Sequence, residues 1–191
     1  MDLDETVLDN AGFETWLYKN RLAYAEPLWD PWERDFPHEV QLVPGAKQFI
    51  GAAELAGVTV VYLSNRSTRF RDSTVKALAL NGLNTDGLDE RLLLKDNGSD
   101  KTGRRAQAEQ RFRVLLYFGD NLRDFDEAFK VTSGQTTFES RARLVDRAAH
   151  HWGADWFVLP NPSYGEWERL LGPRPQEKLR PTLMPPPAVA P

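Results

Sequence analysis

Two short β-branched apolar runs constrain this chain most, Val58 to Leu63 (VTVVYL) and Val114 to Phe118 (VLLYF). Each stops abruptly in polar residues, as strands do when a parallel sheet is covered on both faces and alternation disappears. Trp156 to Leu159 (WFVL), closed by Pro160, is a third such run. Helical patterns separate them. Lys47 to Ala56 follows Pro44-Gly45, Arg71 to Leu80 stops at Asn81-Gly82, and Lys101 to Gln110 is rich in helix formers. A further helix is expected from Asp124 to Lys130. Strands alternating with helices predict an α/β domain: a three-layer, Rossmann-like parallel sheet flanked by helices. Sites in such sheets lie at the carboxyl ends of strands.

A chain of 191 residues suits one domain and can bury a real core. The formal charge of −4 gives no sign of a nucleic-acid partner. There are no cysteines, which excludes disulfides and thiol chemistry. No apolar stretch is long enough for a transmembrane helix, and no leader pattern is visible at the start. Residues 10–44 fit the alternation poorly. They hold Phe13, Trp16, Tyr18, Tyr24, Trp29, Trp32 and Phe36, with prolines at 27, 31 and 37, and read as an aromatic-rich cap insertion over the strand ends. The domain is expected over 1–171. From Gly172 to Pro191 the composition is Pro-rich and reads as a disordered tail.

Asp2 and Asp4 are one residue apart in a loop, the arrangement in-line phosphoryl transfer needs. One carboxylate attacks phosphorus while the other manages the proton on the leaving oxygen. Asp-x-Asp alone is also common in turns and caps. Ser64-Asn65-Arg66 follows the first β-branched run directly, where a hydroxyl and backbone amides hold phosphate oxygens or cap a helix. Lys101 is a candidate to neutralise nucleophile and phosphate, with Lys95 a nearby competitor. Gly119-Asp120-Asn121-Leu122-Arg123-Asp124 ends the second run. Asp120 is its best metal ligand; Asp124 either caps the next helix or binds metal through water, and Asp126 is expected to be exposed. Arg104, Arg105, Arg111 and Arg113 read as a solvated helix face, and the three histidines are too scattered for a zinc site.

These elements, in this order, resemble the motif set of the haloacid-dehalogenase-like hydrolase superfamily across nearly the whole chain. More narrowly, the sequence is similar to the class C (non-specific) bacterial acid phosphatases. The likeness runs from Asp2 to Asn10 and through Val43-Pro44-Gly45, Ser64-Asn65-Arg66 and Gly119-Asp120-Asn121-Leu122. It extends to the segment from Leu159 to Glu168, which general superfamily motifs do not supply. The resemblance implies a Mg²⁺-dependent acid phosphatase acting on small phosphomonoesters, nucleoside 5′-monophosphates among them, through an aspartyl-phosphate. Under it Asp2 is the nucleophile and a metal ligand, and Asp4 is the general acid/base and binds metal through its carbonyl. Ser64 and Asn65 hold phosphate, Lys101 is their partner, and Asp120 and Asp124 serve the metal. Trp29 and Tyr164 match the aromatic positions that stack the base, although a tryptophan such as Trp29 is often simply core. Arg123 stands where relatives are often acidic.

The resembled fold carries a central strand ahead of its nucleophile, flanked by the runs at Val58 and Val114. Here only Met1 precedes Asp2, so the sequence reads as one whose start is assigned too late, or as a fragment. The resemblance also implies export to the bacterial periplasm or outer membrane. The alternative function is a truncated, non-catalytic nucleotide-binding relative; a haloalkanoate dehalogenase has no use for the acid at Asp4. The sequence leaves the oligomeric state open, a homo-oligomer included.

Overall fold

The computed structural model describes residues 1–132 and 135–172. The tail expected from Gly172 onward lies, past that glycine, outside them. Strands β1 (Leu8–Asp9), β2 (Gln41–Leu42), β3 (Tyr62–Ser67), β4 (Leu92–Lys95), β5 (Tyr117–Gly119) and β6 (Trp156–Val158) are all short. Helices α1 (Ala11–Asn20) and α2 (Glu26–Asp35) follow β1, and α3 (Ala46–Leu55) follows β2. Between β3 and β4 lie α4 (Arg71–Leu80) and α5 (Leu88–Arg91); α6 (Thr102–Arg111), α7 (Phe138–Arg147) and α8 (Trp167–Leu171) complete the order. The sequence and the structure agree on the bounds of α4, which ends before Gly82 in the left-handed conformation at φ +70°.

β3 pairs with β4 in parallel, and β5 pairs with β6 in parallel. The backbone of Met1 and Asp2 joins the two pairs. The Met1 nitrogen donates to Val61 O at 2.7 Å, and Leu63 N donates to Met1 O at 2.9 Å. That alternation is the signature of a parallel pair with Met1 opposite Tyr62. On the other side Asp2 N donates to Phe118 O at 2.8 Å. The order across the sheet is therefore β4, β3, Met1–Asp2, β5, β6, and Asp2 stands at its centre.

β3 begins at Tyr62 rather than Val58, and β5 at Tyr117 rather than Val114. An apolar run becomes a strand only where a neighbour completes its ladder. Val61 O accepts from Met1 N, and Val58 N donates to Ala53 O of α3 rather than to a neighbouring strand.

Side chains on β3 and β4 alternate between two helical layers. Tyr62, Leu92 and Leu94 cluster with Ile50 of α3 and with Ala77 and Leu78 of α4; Leu63 and Leu93 meet Ala108 of α6. The three-layer arrangement follows. Leu3, Val7 and Leu8 are fully buried in the first cluster. At roughly 1.5–3 kcal/mol each, they anchor the loop that carries both N-terminal aspartates.

In the aromatic-rich region, Phe13 of α1 meets Trp29 edge-on at 5.2 Å and Trp32 of α2 at 5.8 Å. β2 then returns antiparallel to β1. Pro27 sits in the first turn of α2, where a missing N–H costs no helical bond. The helix expected over 124–130 is replaced by two short 3₁₀ turns, Leu122–Asp124 and Glu127–Phe129. Asn121 and Asp124 cap one another's backbone, and exposed Asp126 caps the next turn, so side chains take the amides a helix would use. Among the described residues, no helix is long and apolar enough to cross a membrane.

Candidate active site

The loop after Asp2 is wound around one carbonyl. The N–H groups of Thr6, Val7 and Leu8 all donate to Leu3 O, at 3.1, 2.7 and 2.8 Å. Glu5 is forced to φ +55°, a left-handed conformation costly for a residue with a side chain. Its carboxyl group is tied down in return, accepting from Asn10 N at 3.0 Å, Asn10 Nδ2 at 3.2 Å and the Tyr164 hydroxyl. Burial, then the neighbouring Asp4, pushes the Glu5 carboxyl up to about 9.

Three aspartates converge beyond this loop. Single carboxylate oxygens of Asp2, Asp120 and Asp124 lie within 4.8 Å of one another. Lys101, buried at the start of α6, reaches Asp2 Oδ1 at 2.6 Å and Asp124 Oδ1 at 2.7 Å. Asp124 Oδ2 accepts from Asn121 N at 2.9 Å, and Asp120 Oδ2 accepts from Asn161 Nδ2 at 2.8 Å. Gly119 makes the approach possible, because a Cβ there would stand 2.5 Å from Asp124 Cβ and Oδ2. Burial raises the Asp2 carboxyl well above the usual range; Lys101 opposes the shift while Asp124, Asp120 and Asp4 reinforce it. Burial and then Asp124 push Asp120 up to about 6. Burial works against the charge on Lys101, but Asp124 and Asp2 outweigh it and hold its pKa above the ordinary value.

The residues present suit a divalent cation. Three carboxylates crowd one ammonium, and buried Asp2 Oδ1 has Lys101 close by without any well-directed hydrogen bond. An oxygen left in that state is a ligand atom ready for a hard cation.

Asp4 has a different environment. Arg66 Nε donates to its Oδ1 at 2.9 Å, Asn10 Nδ2 donates to the same oxygen at 2.9 Å, and Ser64 Oγ lies 3.4 Å from its Oδ2. Fully buried Arg66 also donates through Nη2 to Asn10 Oδ1 at 3.0 Å, and Trp32 Nε1 reaches that oxygen at 3.0 Å. The two aspartates of the loop are thus separated by environment: Asp2 belongs to the acidic trio, and Asp4 to a guanidinium and an amide.

Ser64 Oγ also accepts from Arg66 N at 3.1 Å. Asn65 Oδ1 accepts from Arg104 Nη2 at 2.7 Å, and Arg104 Nη1 donates to Ser64 O. Arg104 is therefore no solvated residue. Nor is buried Arg105, which donates to Arg123 O at 3.1 Å and Asp124 O at 3.3 Å; Arg111 and Arg113 are exposed as expected. Those two carbonyls accept from the Arg105 guanidinium, which gives its buried charge hydrogen-bond partners. Lys95 pairs with Glu26 at 2.9 Å, away from the trio. Arg123 pairs with Glu127 and Glu166 at 2.5 and 3.0 Å.

Trp29 is half-buried, its ring 5.6 Å from the Arg66 guanidinium and its Nε1 donating to Glu33 Oε2 at 2.9 Å. Tyr164 is also half-buried and reaches the loop through Glu5. Both candidate stacking residues are thus tied to residues on either side of Asp4 in the network. Sequence reasoning did not single out Arg66, Asn10, Glu5, Glu33 or Arg104. The one available signal was Arg66, a charge placed directly after a buried strand.

The chain matches the family described as HAD superfamily, subfamily IIIB (acid phosphatase) over residues 1–167. Its fold is similar to a solved class C acid phosphatase from Bacillus anthracis, with a TM-score of 0.76 and 34% identity over 89% of this chain and 68% of that one. A structure described as class C acid phosphatase from Bacillus anthracis with tungstate bound matches with a TM-score of 0.77 at the same identity and coverage. The parallel sheet, the loop at its centre and these matches agree: the chain belongs to the subfamily IIIB acid phosphatases of the HAD superfamily and is a phosphoric monoester hydrolase.

Proposed function

We propose that this phosphatase is Mg²⁺-dependent and hydrolyses nucleoside 5′-monophosphates through an aspartyl-phosphate on Asp2. The observation that carries the reading is the split between the two loop aspartates, one beside Lys101 and two further carboxylates, the other gripped by Arg66 and Asn10. A nucleophile and a proton carrier need such different surroundings. Asp2, Asp120 and Asp124 would hold the cation, with the Asp4 carbonyl as the oxygen that the resemblance adds. When bound, the cation neutralises phosphoryl oxygens.

Asp2 attacks phosphorus as the bond to the leaving alkoxide breaks, and Asp4 gives that alkoxide its proton. Asp4 then takes a proton from the water that hydrolyses the acyl phosphate. Lys101, fixed by two carboxylates, is placed to keep the nucleophile ionised and to balance the phosphoryl charge. Ser64 and Asn65 are assigned to the phosphate oxygens. Trp29 and Tyr164 are assigned to the base, which aromatic stacking holds whatever its identity. Export is proposed on the resemblance alone, and fractionation of the producing cells tests it.

The test is hydrolysis of nucleoside monophosphates and small alkyl phosphates by wild type and Trp29→Ala, with Mg²⁺ and with chelator. Activity should require Mg²⁺, and Trp29→Ala should raise KM for nucleotides about 5- to 100-fold, the worth of one stacked base, while sparing alkyl phosphates. Equal losses on both substrates would make Trp29 a structural residue and remove the nucleotide assignment.

A further inference from the structure

Arg104 has no part in the reaction as assigned above, but it stands beside the residues assigned to phosphate. It follows Lys101 by three residues at the start of α6, so the two cations leave the helix one turn apart on one face. Three bonds hold its guanidinium. Nη1 donates to Ser64 O, and Nη2 donates to Asp100 O at 3.1 Å and to Asn65 Oδ1 at 2.7 Å. A guanidinium offers only donors, whereas an asparagine amide accepts at one end and donates at the other. Arg104 therefore decides which end of Asn65 it meets. The carbonyl is turned toward α6, and Nδ2 is turned away from it with two N–H groups. Among the described residues, no hydrogen bond uses that Nδ2. Asn65 is half-buried and follows Ser64, whose hydroxyl lies 3.4 Å from Asp4 Oδ2. An unpaired amide is thus held near the carboxyl end of β3, close to the two loop aspartates.

We propose that Arg104 is a positioning residue for phosphoryl transfer, which holds the Asn65 carbonyl so that the Asn65 amide aims its donors at the phosphoryl oxygens. The proposal rests on the assignment of Asn65 to phosphate, and on neither the nucleotide nor the aspartyl-phosphate reading. With Arg104 in place, a flipped amide sets donor against donor and forfeits a bond to a charged group. It also turns a carbonyl oxygen toward an anion. The bonds to Ser64 O and Asp100 O serve the same end, because they stop the guanidinium from following a rotated amide. The guanidinium polarises the amide it binds. In a chain of guanidinium, amide and phosphoryl oxygen each hydrogen bond strengthens the next, so the charge of Arg104 reaches the substrate without touching it. Burial lowers the Arg104 pKa, and Asp2 leads the charges that oppose the shift, which puts the guanidinium within electrostatic reach of the nucleophile.

A double-mutant cycle tests the proposal. Arg104→Met, Asn65→Ala and the double variant, each with Mg²⁺, are assayed on p-nitrophenyl phosphate and for inhibition by inorganic phosphate. Each single variant should lower kcat/KM and weaken phosphate binding about 10- to 100-fold, the worth of one bond to a charged group. The double variant should fall no more than about threefold below the worse single one, since both changes remove the same interaction. Losses that multiply in the double variant, or wild-type rates in Arg104→Met, would overturn the proposal. An Asn65→Ala variant that binds phosphate as tightly as wild type would remove Asn65 from the phosphate site, and the proposal with it. The cycle is repeated with Arg104→Lys, which keeps the charge but cannot span Ser64 O and Asn65 Oδ1 together. The same coupling is expected there, so the test survives a Met variant that fails to fold. p-Nitrophenyl phosphate carries no base, and the outcome is therefore independent of the nucleotide assignment.

Discussion

The Lys101 ammonium stands 2.6 Å from Asp2 Oδ1 with both side chains almost wholly buried. It restrains the upward shift that burial and three neighbouring carboxylates impose on Asp2. Lys101→Met should lower turnover about 10²–10³-fold, the cost of one electrostatic stabiliser at a reacting centre. It should also destabilise the metal-free protein at neutral pH by about 3–5 kcal/mol, since breaking a buried pair leaves carboxylates uncompensated. Excess Mg²⁺ should restore much of the stability and little of the rate. Calorimetry and steady-state assays separate the two, and recovery of both would reduce Lys101 to a charge balance.

Arg66 grips Asp4 and Asn10 at once, using Nε and Nη2. A lysine at this position keeps the charge but lacks the fork. Arg66→Lys should cost about a hundredfold in kcat/KM on alkyl phosphates through misplacement of Asp4. Because kcat/KM reports phosphoryl transfer and not hydrolysis of the intermediate, its loss should be much smaller on p-nitrophenyl phosphate, whose leaving group needs no proton. Equal losses on both esters would place Arg66 in a structural role.

Gly119→Ala brings a Cβ to 2.5 Å from Asp124. The bulk of Asp124 cannot yield there without leaving Lys101 and Asn121. We expect a stability loss of about 1–3 kcal/mol, typical of an overpacked site, together with weaker Mg²⁺ binding by titration calorimetry. An unchanged metal affinity would remove Asp124 from the metal site.

Asp120 is pushed from 3.8 up to about 6, first by burial and then by Asp124, and burial pushes Glu33 from 4.5 up to about 7. Such carboxyls hold more protons folded than unfolded. Their contribution is fully present below the unfolded value and is lost as pH rises through the folded one. Metal-free protein should therefore lose stability between about pH 4 and 7, on the order of 3 kcal/mol from Asp120 alone. Mg²⁺ binds the ionised carboxylates, so it should reverse the loss near neutrality and bind progressively less well below about pH 6. Denaturant midpoints across this range, with Mg²⁺ and with chelator, provide the check; metal-free stability that rises with pH in this window would contradict the burial of these groups.

Much of this architecture was legible because hydrophobic pattern and motif spacing are local properties. The β-branched runs mark the strands on either side of Asp2, and Asn81-Gly82 stops α4 where the left-handed turn requires. The strand starts were not legible. Pairing depends on a neighbour, and the apolar pattern of Val58–Val61 does not differ from that of the paired residues after it. The turn around Asp124 was misread as helix because the reciprocal capping of Asn121 and Asp124 depends on side-chain direction. Arg66 and Arg105 were hidden for a related reason. A charged residue's burial follows from which carbonyls and carboxylates the fold brings to it, and here those partners lie up to 62 residues away in sequence.

The central claim is covalent catalysis by Asp2 with Asp4 as proton carrier, and trapping the intermediate tests it most directly. Asp4→Asn, given p-nitrophenyl phosphate and Mg²⁺, can still form the acyl phosphate because the leaving group departs without a proton. It lacks the base that would hydrolyse it. Intact and peptide mass spectrometry of the quenched protein should find one phosphoryl group, on Asp2, absent from Asp2→Asn treated alike. A phosphoryl group on another residue, or none while Asp4→Asn still releases p-nitrophenol in a burst, would contradict the account.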